Sequence, residues 1–430
     1  MRKSRVLCRM IGAVLACAVL AGCSVGGTMS LDEMLRAPQL TGEYSAVQTA
    51  LNEYLGESAQ LKYPANGDFL SPFLFGDWDG DDVQDAAVLY VSSTSVNVQL
   101  AILQKDVSGN WKVCGTAEGL SDSVDSVSFA AMRAPGADQI LVGYTITSDE
   151  YLAVYSYTDG KLETVLQQPY NQYLIEDFTG RGTEDLVLLS SDENGQTQVQ
   201  MLTDGPDGFT SMQVVGLSSE QFSGYASLAA GKGAFGGNYL ILDGWTGASG
   251  SYLASSILRY DATTGQMDPA SLAGTDDVYN DSLRYASCLI SRDLDNDGIV
   301  EIPAQSVEEA GTLNLTANKR FSFVRWMDFT GWHPEKSFGI VDEEYGFYLE
   351  LPAEWEGNLL MTDGAEEGEI QLSNLSGDEI YMTLRVTDDD VSYDSWQRLG
   401  MVASMQILAK MGPDIKTPTA YMLSKAIYIL

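Results

Sequence analysis

Three short acidic segments constrain this chain more than anything else in it. The most complete is Asp293-Leu-Asp295-Asn-Asp297-Gly298-Ile299-Val-Glu301, with carboxylates at positions 1, 3, 5 and 9 and glycine at 6. Hard cations such as calcium take six to eight oxygen ligands, and a short loop offering oxygens at alternate positions wraps one. The backbone carbonyl of Ile299 completes the set, and Gly298 permits the turn that brings Glu301 back. The same pattern recurs at Asp77-Trp-Asp79-Gly-Asp81-Asp-Val83-Gln-Asp85, where Val83 supplies the carbonyl and Asp82 stands in place of glycine. Aspartate tolerates a left-handed backbone better than most residues. A third copy, Asp177-Phe-Thr179-Gly-Arg181-Gly-Thr-Glu-Asp185, has a poorer ligand at Thr179 and a guanidinium where an ion belongs. There Arg181 is predicted to bridge Asp177 and Asp185 in place of metal.

Each loop opens onto an apolar run, and more strand-like sequence follows. After the first loop come Ala86–Val91, Val98–Gln104 and Trp111–Gly115, separated by polar turns. After Asp185 come Leu186–Ser190, Gln198–Thr203 and Phe209–Val215. Such meanders of short strands are the signature of repeated antiparallel units. Between them, Ile140–Thr145, Tyr151–Tyr157 and Lys161–Leu166 repeat the layout behind Ala131-Met-Arg-Ala-Pro-Gly-Ala137, a stretch without the acids. Another unit runs from about Leu228 to Tyr260, and the last follows Glu301 through Phe321–Phe329. The acidic loops and their degenerate versions fall near 77, 131, 177, 230 and 293, a spacing near fifty residues. That is a propeller-like period. The expected fold is therefore mainly β, a β-propeller of about five recognisable blades, followed by a small C-terminal α+β domain.

The loops resemble the FG-GAP and VCBS repeats that form propeller blades in integrin-like and bacterial surface proteins. The resemblance implies structural calcium, held by Asp293, Asp295, Asp297, Ile299 and Glu301 and by Asp77, Asp79, Asp81, Val83 and Asp85. The opening, with Met34-Leu-Arg-Ala-Pro-Gln-Leu40 and Leu61-Lys-Tyr-Pro-Ala-Asn-Gly-Asp68, resembles a group of Firmicute lipoproteins with VCBS-like repeats and no assigned activity. Tyr345–Gly357 resembles a small α+β module found at the ends of Gram-positive lipoproteins.

The amino terminus supports a surface location. Arg2 to Arg9 is a basic stretch and Ile11–Leu20 an apolar one too short to span a bilayer stably. Leu20-Ala-Gly-Cys23 then resembles a lipoprotein cleavage box, with Cys23 acylated and anchored on the outer face of the cytoplasmic membrane. The expected division is a signal over 1–22, a tether over 23–30, a helical segment over 31–66, repeats over 67–337 and the closing domain over 338–430. Ser30-Leu-Asp-Glu33 has capping-box spacing and starts one short helix. Val47, Leu51 and Leu55 form the stripe of a second, stopped by Gly56. Pro418–Leu430 fits a closing helix. Past Cys23 only Cys114 and Cys288 remain, read as free thiols in separate blades, with a disulfide as the alternative.

Lys and Arg total 24 against 60 acidic residues among 430, a net charge of −36. Loss of the signal removes Arg2, Lys3, Arg5 and Arg9 and no acid. Nucleic acid needs the opposite sign. His333 is the one histidine and lies in a turn, with no nucleophile elbow elsewhere in the chain. The chain is therefore expected to be no enzyme but a binding module for a protein or cell-envelope glycan. A glycan-active hydrolase, which needs two carboxylates across a cleft, and a structural accessory subunit are the alternatives.

Overall fold

The computed structural model describes residues 42–430 apart from 193, 206–207, 218–219, 249, 271, 273–276, 306–311, 318, 332–334 and 390–395. The expected signal over 1–22, Cys23, the expected capping box at Ser30 and His333 lie outside the described residues.

The contacts divide the chain into two units, one of Met1–Ala59 with Lys105–Val113, the other of Gln60–Gln104 with Cys114–Leu430. The first contains the predicted amphipathic helix, Glu43–Leu55, with Val47 and Leu51 buried. Gly56 ends it at φ 69°, and its N–H donates to the Asn52 carbonyl. Only a residue without Cβ adopts that conformation cheaply. Within this unit Lys105 pairs with Glu43 and lies over the Trp111 ring.

The second unit is mainly β. Its repeating element is an antiparallel sheet of four strands joined in sequence order. The first sheet contains Phe73–Gly76, Asp85–Val91, the strand Gln99–Lys105 as far as Gln104 and the strand Trp111–Glu118 from Cys114 onward, with Gln60–Leu61 added beside Asp85–Val91. The second is Val124–Ala134, Ala137–Ile146, Asp149–Thr158 and Lys161–Tyr170. The third is Gln172–Glu176, Asp185–Ser191, Thr197–Gly205 and Gly208–Gly216. The fourth is Gly224–Lys232, Asn238–Thr246, Tyr252–Asp261 and Gln266–Pro269. The fifth orders Ile302–Ala304, Phe321–Met327, Glu335–Asp342 and Phe347–Glu350, then Ile427–Ile429.

Apolar cores lie between consecutive sheets, as in blades stacked face to face. Leu74, Trp78 and Ile102 of the first sheet and its loop meet Val127, Val142 and Tyr155 of the second. Met132 and Leu152 of the second meet Leu186 and Leu188 of the third. Val187 and Met201 meet Leu240 and Leu258 of the fourth. Ile241 and Ile257 meet Ile302 of the fifth. Central strands such as Asp85–Val91 and Asp185–Ser191 are buried through six of their seven residues. Both faces pack, so these strands read as continuous apolar runs rather than alternating ones.

The course of the strands differs from the sequence reading in three places. The stretches near 131 and 230, expected as loops that had lost their acids, are strand continuing into hairpins, within Val124–Ala134 and Gly224–Lys232. Acidic loops therefore belong to the first, third and fifth sheets and plain hairpins to the second and fourth. The closing helix is one turn, Ala420–Leu423, followed by the strand Ile427–Ile429 beside Phe347–Leu349. Alternating Ile427-Tyr428-Ile429 suits a sheet edge better than a helix. Residue 338 falls inside the strand Glu335–Asp342. The C-terminal residues build a sixth sheet from Thr312–Asn314, Leu359–Asp363, Glu369–Ser373, Ile380–Thr387, Met405–Met411 and Gln397–Val402. Its core is shared with Phe323 and Ile340 of the fifth sheet. Cys114 and Cys288 are not disulfide-bonded, and Cys114 is exposed.

Candidate metal loops

The three acidic loops have one frame. The first aspartate takes backbone amides from positions 5 and 6. Asp77 accepts from Asp81 (3.2 Å) and Asp82 (2.8 Å). Asp177 accepts from Arg181 (3.0 Å) and Gly182 (2.8 Å). Asp293 accepts from Asp297 (3.0 Å) and Gly298 (2.8 Å). The turn requires a positive φ at position 6, met by Asp82 at 62°, Gly182 at 76° and Gly298 at 87°. The position-9 acids Asp85, Asp185 and Glu301 are at most 2% exposed. Asp85 accepts from the Trp78 amide and Glu301 from the Leu294 amide (2.8 Å). In the middle copy Asp185 instead takes the Thr179 amide at 2.9 Å. Position 2 is apolar and buried in every copy: Trp78, Phe178 and Leu294.

Acids at 1 and 9 thus satisfy the turn's own amides, and an apolar side chain pins it into the core between sheets. The acids at 3 and 5 are exposed in the first and last loops and are the ones freest to meet an ion. Asp77, Asp79 and Asp85 bring carboxylate oxygens within 4.8 Å of one another, as do Asp293, Asp295 and Asp297. The amides of Val83 and Ile299 donate to Asp81 and Asp297, at 2.8 Å each.

The three loops differ in their countercharge. Arg181 reaches Asp185 Oδ1 (2.8 Å) and Thr179 Oγ1 (2.9 Å) with its side chain, whereas Asp177 is held by backbone amides. The guanidinium thus joins positions 3 and 9 rather than 1 and 9. In the last loop Lys336 Nζ lies 2.6 Å from Asp297 Oδ2, 2.6 Å from Glu301 Oε1 and 3.4 Å from Asp295 Oδ2. Sequence reasoning missed Lys336, because it stands 35 residues beyond Glu301 with nothing local to mark it. At the first loop, the neutral Gln104 side chain donates to Asp79 Oδ2 at 2.8 Å. Among the described residues no Lys or Arg pairs with Asp77, Asp79, Asp81 or Asp85. The oxygen-only, uncompensated donors of the first loop fit a hard cation. The last loop's donors already share an ammonium.

Burial pushes the Asp85 carboxyl up to about 6, and repulsion from Asp79 and Asp81 adds to it, while the Trp78 amide and Gln104 oppose it. Asp138 is raised by burial and by Asp77. Its amide donates to the Asp77 carbonyl at 3.2 Å, so the loop is stapled to the second sheet. Asn238 Nδ2 makes the matching staple from the fourth sheet to the Phe178 carbonyl at 2.7 Å.

Elsewhere a polar cavity of about 350 Å³ is lined by Ser148, Glu150, Tyr151, Tyr170, Asn171 and Ser191. Burial raises the Glu150 carboxyl, and Thr145 Oγ1 donates to it at 3.1 Å.

No family model matches the sequence, and a search of curated proteins finds no match. Among solved structures the chain is similar to the rhamnogalacturonan lyase YesW, at a TM-score of 0.31 and 10% identity over 75% of this chain and 68% of that one. It is similar to the Dos1 propeller at a TM-score of 0.25 and 9% identity, over 82% of each chain. It is also similar to TolB from Acinetobacter baumannii, at a TM-score of 0.25 and 12% identity over 62% of this chain and 54% of that one. Likenesses this distant carry no argument about what the chain does.

Proposed function

We propose that the chain is a lipid-anchored, extracytoplasmic binding module for a protein or cell-envelope glycan, with structural calcium in the Asp77–Asp85 loop. Acylated Cys23 is the anchor. The observation that carries the calcium reading is the convergence of Asp77, Asp79 and Asp85 without a cationic partner among the described residues. The Ser148–Ser191 cavity offers hydroxyls, an amide, the two carboxylates of Asp149 and Glu150 and aromatic rings, a lining suited to a polar, hydroxyl-rich ligand. The purified protein is expected to be retained on isolated cell envelopes in calcium and lost in EDTA. Retention that survives protease treatment of the envelopes marks a glycan ligand. No retention in either condition would sink the binding reading.

The calcium part has its own test. At a hundredfold excess over Kd, one site adds about 2.7 kcal/mol. Extracellular calcium modules have Kd values of about 10⁻⁴–10⁻³ M, so calcium at about 10 mM, a ten- to hundredfold excess worth about 1.4–2.7 kcal/mol, is expected to raise the melting temperature over EDTA. Asp79→Ala should abolish that increment and leave stability in EDTA unchanged. Asp77→Ala should lose the increment and also destabilise the protein in EDTA, because three loop amides lose their acceptor. The pH dependence follows from Asp85. A carboxyl whose folded pKa is raised contributes stability that is full below its ordinary value and is lost as pH rises through about 6. In EDTA this group therefore favours the fold more at pH 5 than at pH 7. Calcium needs the ionised form, so its stabilising increment should instead grow from pH 5 to pH 7. An increment unchanged by Asp79→Ala, or independent of pH, would count against the site.

A further inference from the structure

The last acidic loop looks like the best calcium site when read as sequence, yet its spare oxygens are spoken for. Asp293 spends both oxygens on the amides of Asp297 and Gly298. Asp295 Oδ1 takes the Asp297 amide, Asp297 Oδ1 the Ile299 amide and Glu301 Oε2 the Leu294 amide. One oxygen then remains on each of Asp295, Asp297 and Glu301. Those are the three that Lys336 Nζ faces, at 3.4, 2.6 and 2.6 Å. An ammonium carries three donors and no acceptor, so its valence matches the vacancies of the loop.

The fold aims this side chain deliberately. Lys336 lies on the strand Glu335–Asp342, in the same sheet as the strand that follows the loop. Trp326 pairs with Ser337 and Met327 with Glu335, so the register skips Lys336. It is the extra residue of a β-bulge, and bulges re-aim a side chain out of the regular alternation. The middle loop reaches the same end by another route. Arg181, inside the loop itself, joins positions 3 and 9. Two of the three loops therefore carry a cation of the chain's own where their outer oxygens converge.

We infer that Lys336 is the resident cation of the Asp293–Glu301 loop, which holds its form without metal, and that the Asp77–Asp85 loop alone binds calcium. Calcium coordinates its oxygens at about 2.3–2.6 Å, and an ammonium already in contact with two of the same carboxylates excludes it. The second half of this inference rests on the calcium reading of the first loop; the first half does not.

Isothermal titration with calcium on the purified protein separates the two. Wild type is expected to bind one calcium, lost in Asp79→Asn and kept in Asp295→Asn. Lys336→Met should gain a second site, of about 10⁻⁴–10⁻³ M affinity, which Asp295→Asn then removes. A wild-type calcium lost with Asp295→Asn would overturn the assignment, and so would Lys336→Met binding no more calcium than wild type. If Lys336→Met does not fold, the Asp295→Asn result in the Lys336 background decides alone. If wild type binds none while Lys336→Met binds one, the calcium reading of the first loop fails and the role of Lys336 stands.

Discussion

Arg284→Met is expected to destabilise the protein by about 3–5 kcal/mol, the cost of leaving a buried charge without its partner. Arg284 is 1% exposed and Asp243 0%. Nη2 lies 2.7 Å from Asp243 Oδ1, Nη1 donates to the Ser255 hydroxyl and the Ser282 carbonyl, and Nε donates to the Leu289 carbonyl. Asp243 takes further hydrogen bonds from the hydroxyls of Ser227, Ser255 and Ser291 and from the Ser291 amide. The cluster ties residues 282–291, which have little regular structure, onto the fourth sheet just before the last acidic loop. Burial alone would push the Asp243 carboxyl up, but Arg284, Ser255 and Ser291 outweigh it and hold it below the usual range. In wild type this group therefore contributes stability that is present above its ordinary pKa and lost as the pH falls through the lowered one. Without the guanidinium burial prevails, and the sign reverses: Arg284→Met should be less deficient at pH 5 than at pH 8. Urea unfolding at both pH values measures this. Asp243→Leu with Arg284→Met should recover part of the loss, since an apolar pair can replace a buried ion pair. Recovery stays incomplete because the serine hydroxyls and the Ser291 amide lose their acceptor. A single-variant loss below about 1 kcal/mol would show that the pair contributes little.

What the sequence revealed tracks how local each interaction is. The acidic loops were legible because a few residues encode them: an aspartate that caps its own following amides, a left-handed residue at position 6 and a buried acid at position 9. The strands after them, and the helix over Glu43–Leu55, were legible from apolar runs and period. The strand Gln172–Glu176 was not, because none of its residues is fully buried and it shows no alternation. The second and fourth sheets were recognised as repeats, but their long hairpins carry no acids to mark where one strand turns into the next. Lys336 and the Asp243–Arg284 pair were invisible for a common reason. Each joins residues 35 to 41 apart through a fold that places them, and no local pattern distinguishes a lysine on a bulge from one in solvent. The acids of a loop alone did not show which of them also faces a cation, because that countercharge comes from elsewhere in the chain.

Trp78→Ala should be comparably damaging, at about 3–5 kcal/mol for a large aromatic removed from a packed core. Trp78 is 2% exposed. Its ring centroid is 5.1 Å from that of Phe129, and it packs with Leu74, Ile102 and Val142 between the first two sheets. It covers Gly76 so closely that a Cβ there would lie 2.6 Å from the indole. Gly76→Ala is therefore a milder route to the same disturbance. The repeat supplies the discriminating control. Phe178 holds the equivalent place in the middle loop, so Trp78→Phe should cost far less than Trp78→Ala. The buried indole Nε1 has no hydrogen-bond partner among the described residues. Phenylalanine removes that unmet donor, which offsets part of the lost contact area. Because the Trp78 amide also donates to Asp85, the side chain and the ligand loop move as one. Trp78→Ala should weaken calcium binding as well as the fold, while Trp78→Phe keeps both. Unfolding in EDTA isolates the packing loss, and the calcium-induced rise in melting temperature reports the loop. Equal losses for alanine and phenylalanine would show that the indole itself, rather than an apolar anchor at position 2, is what the loop requires.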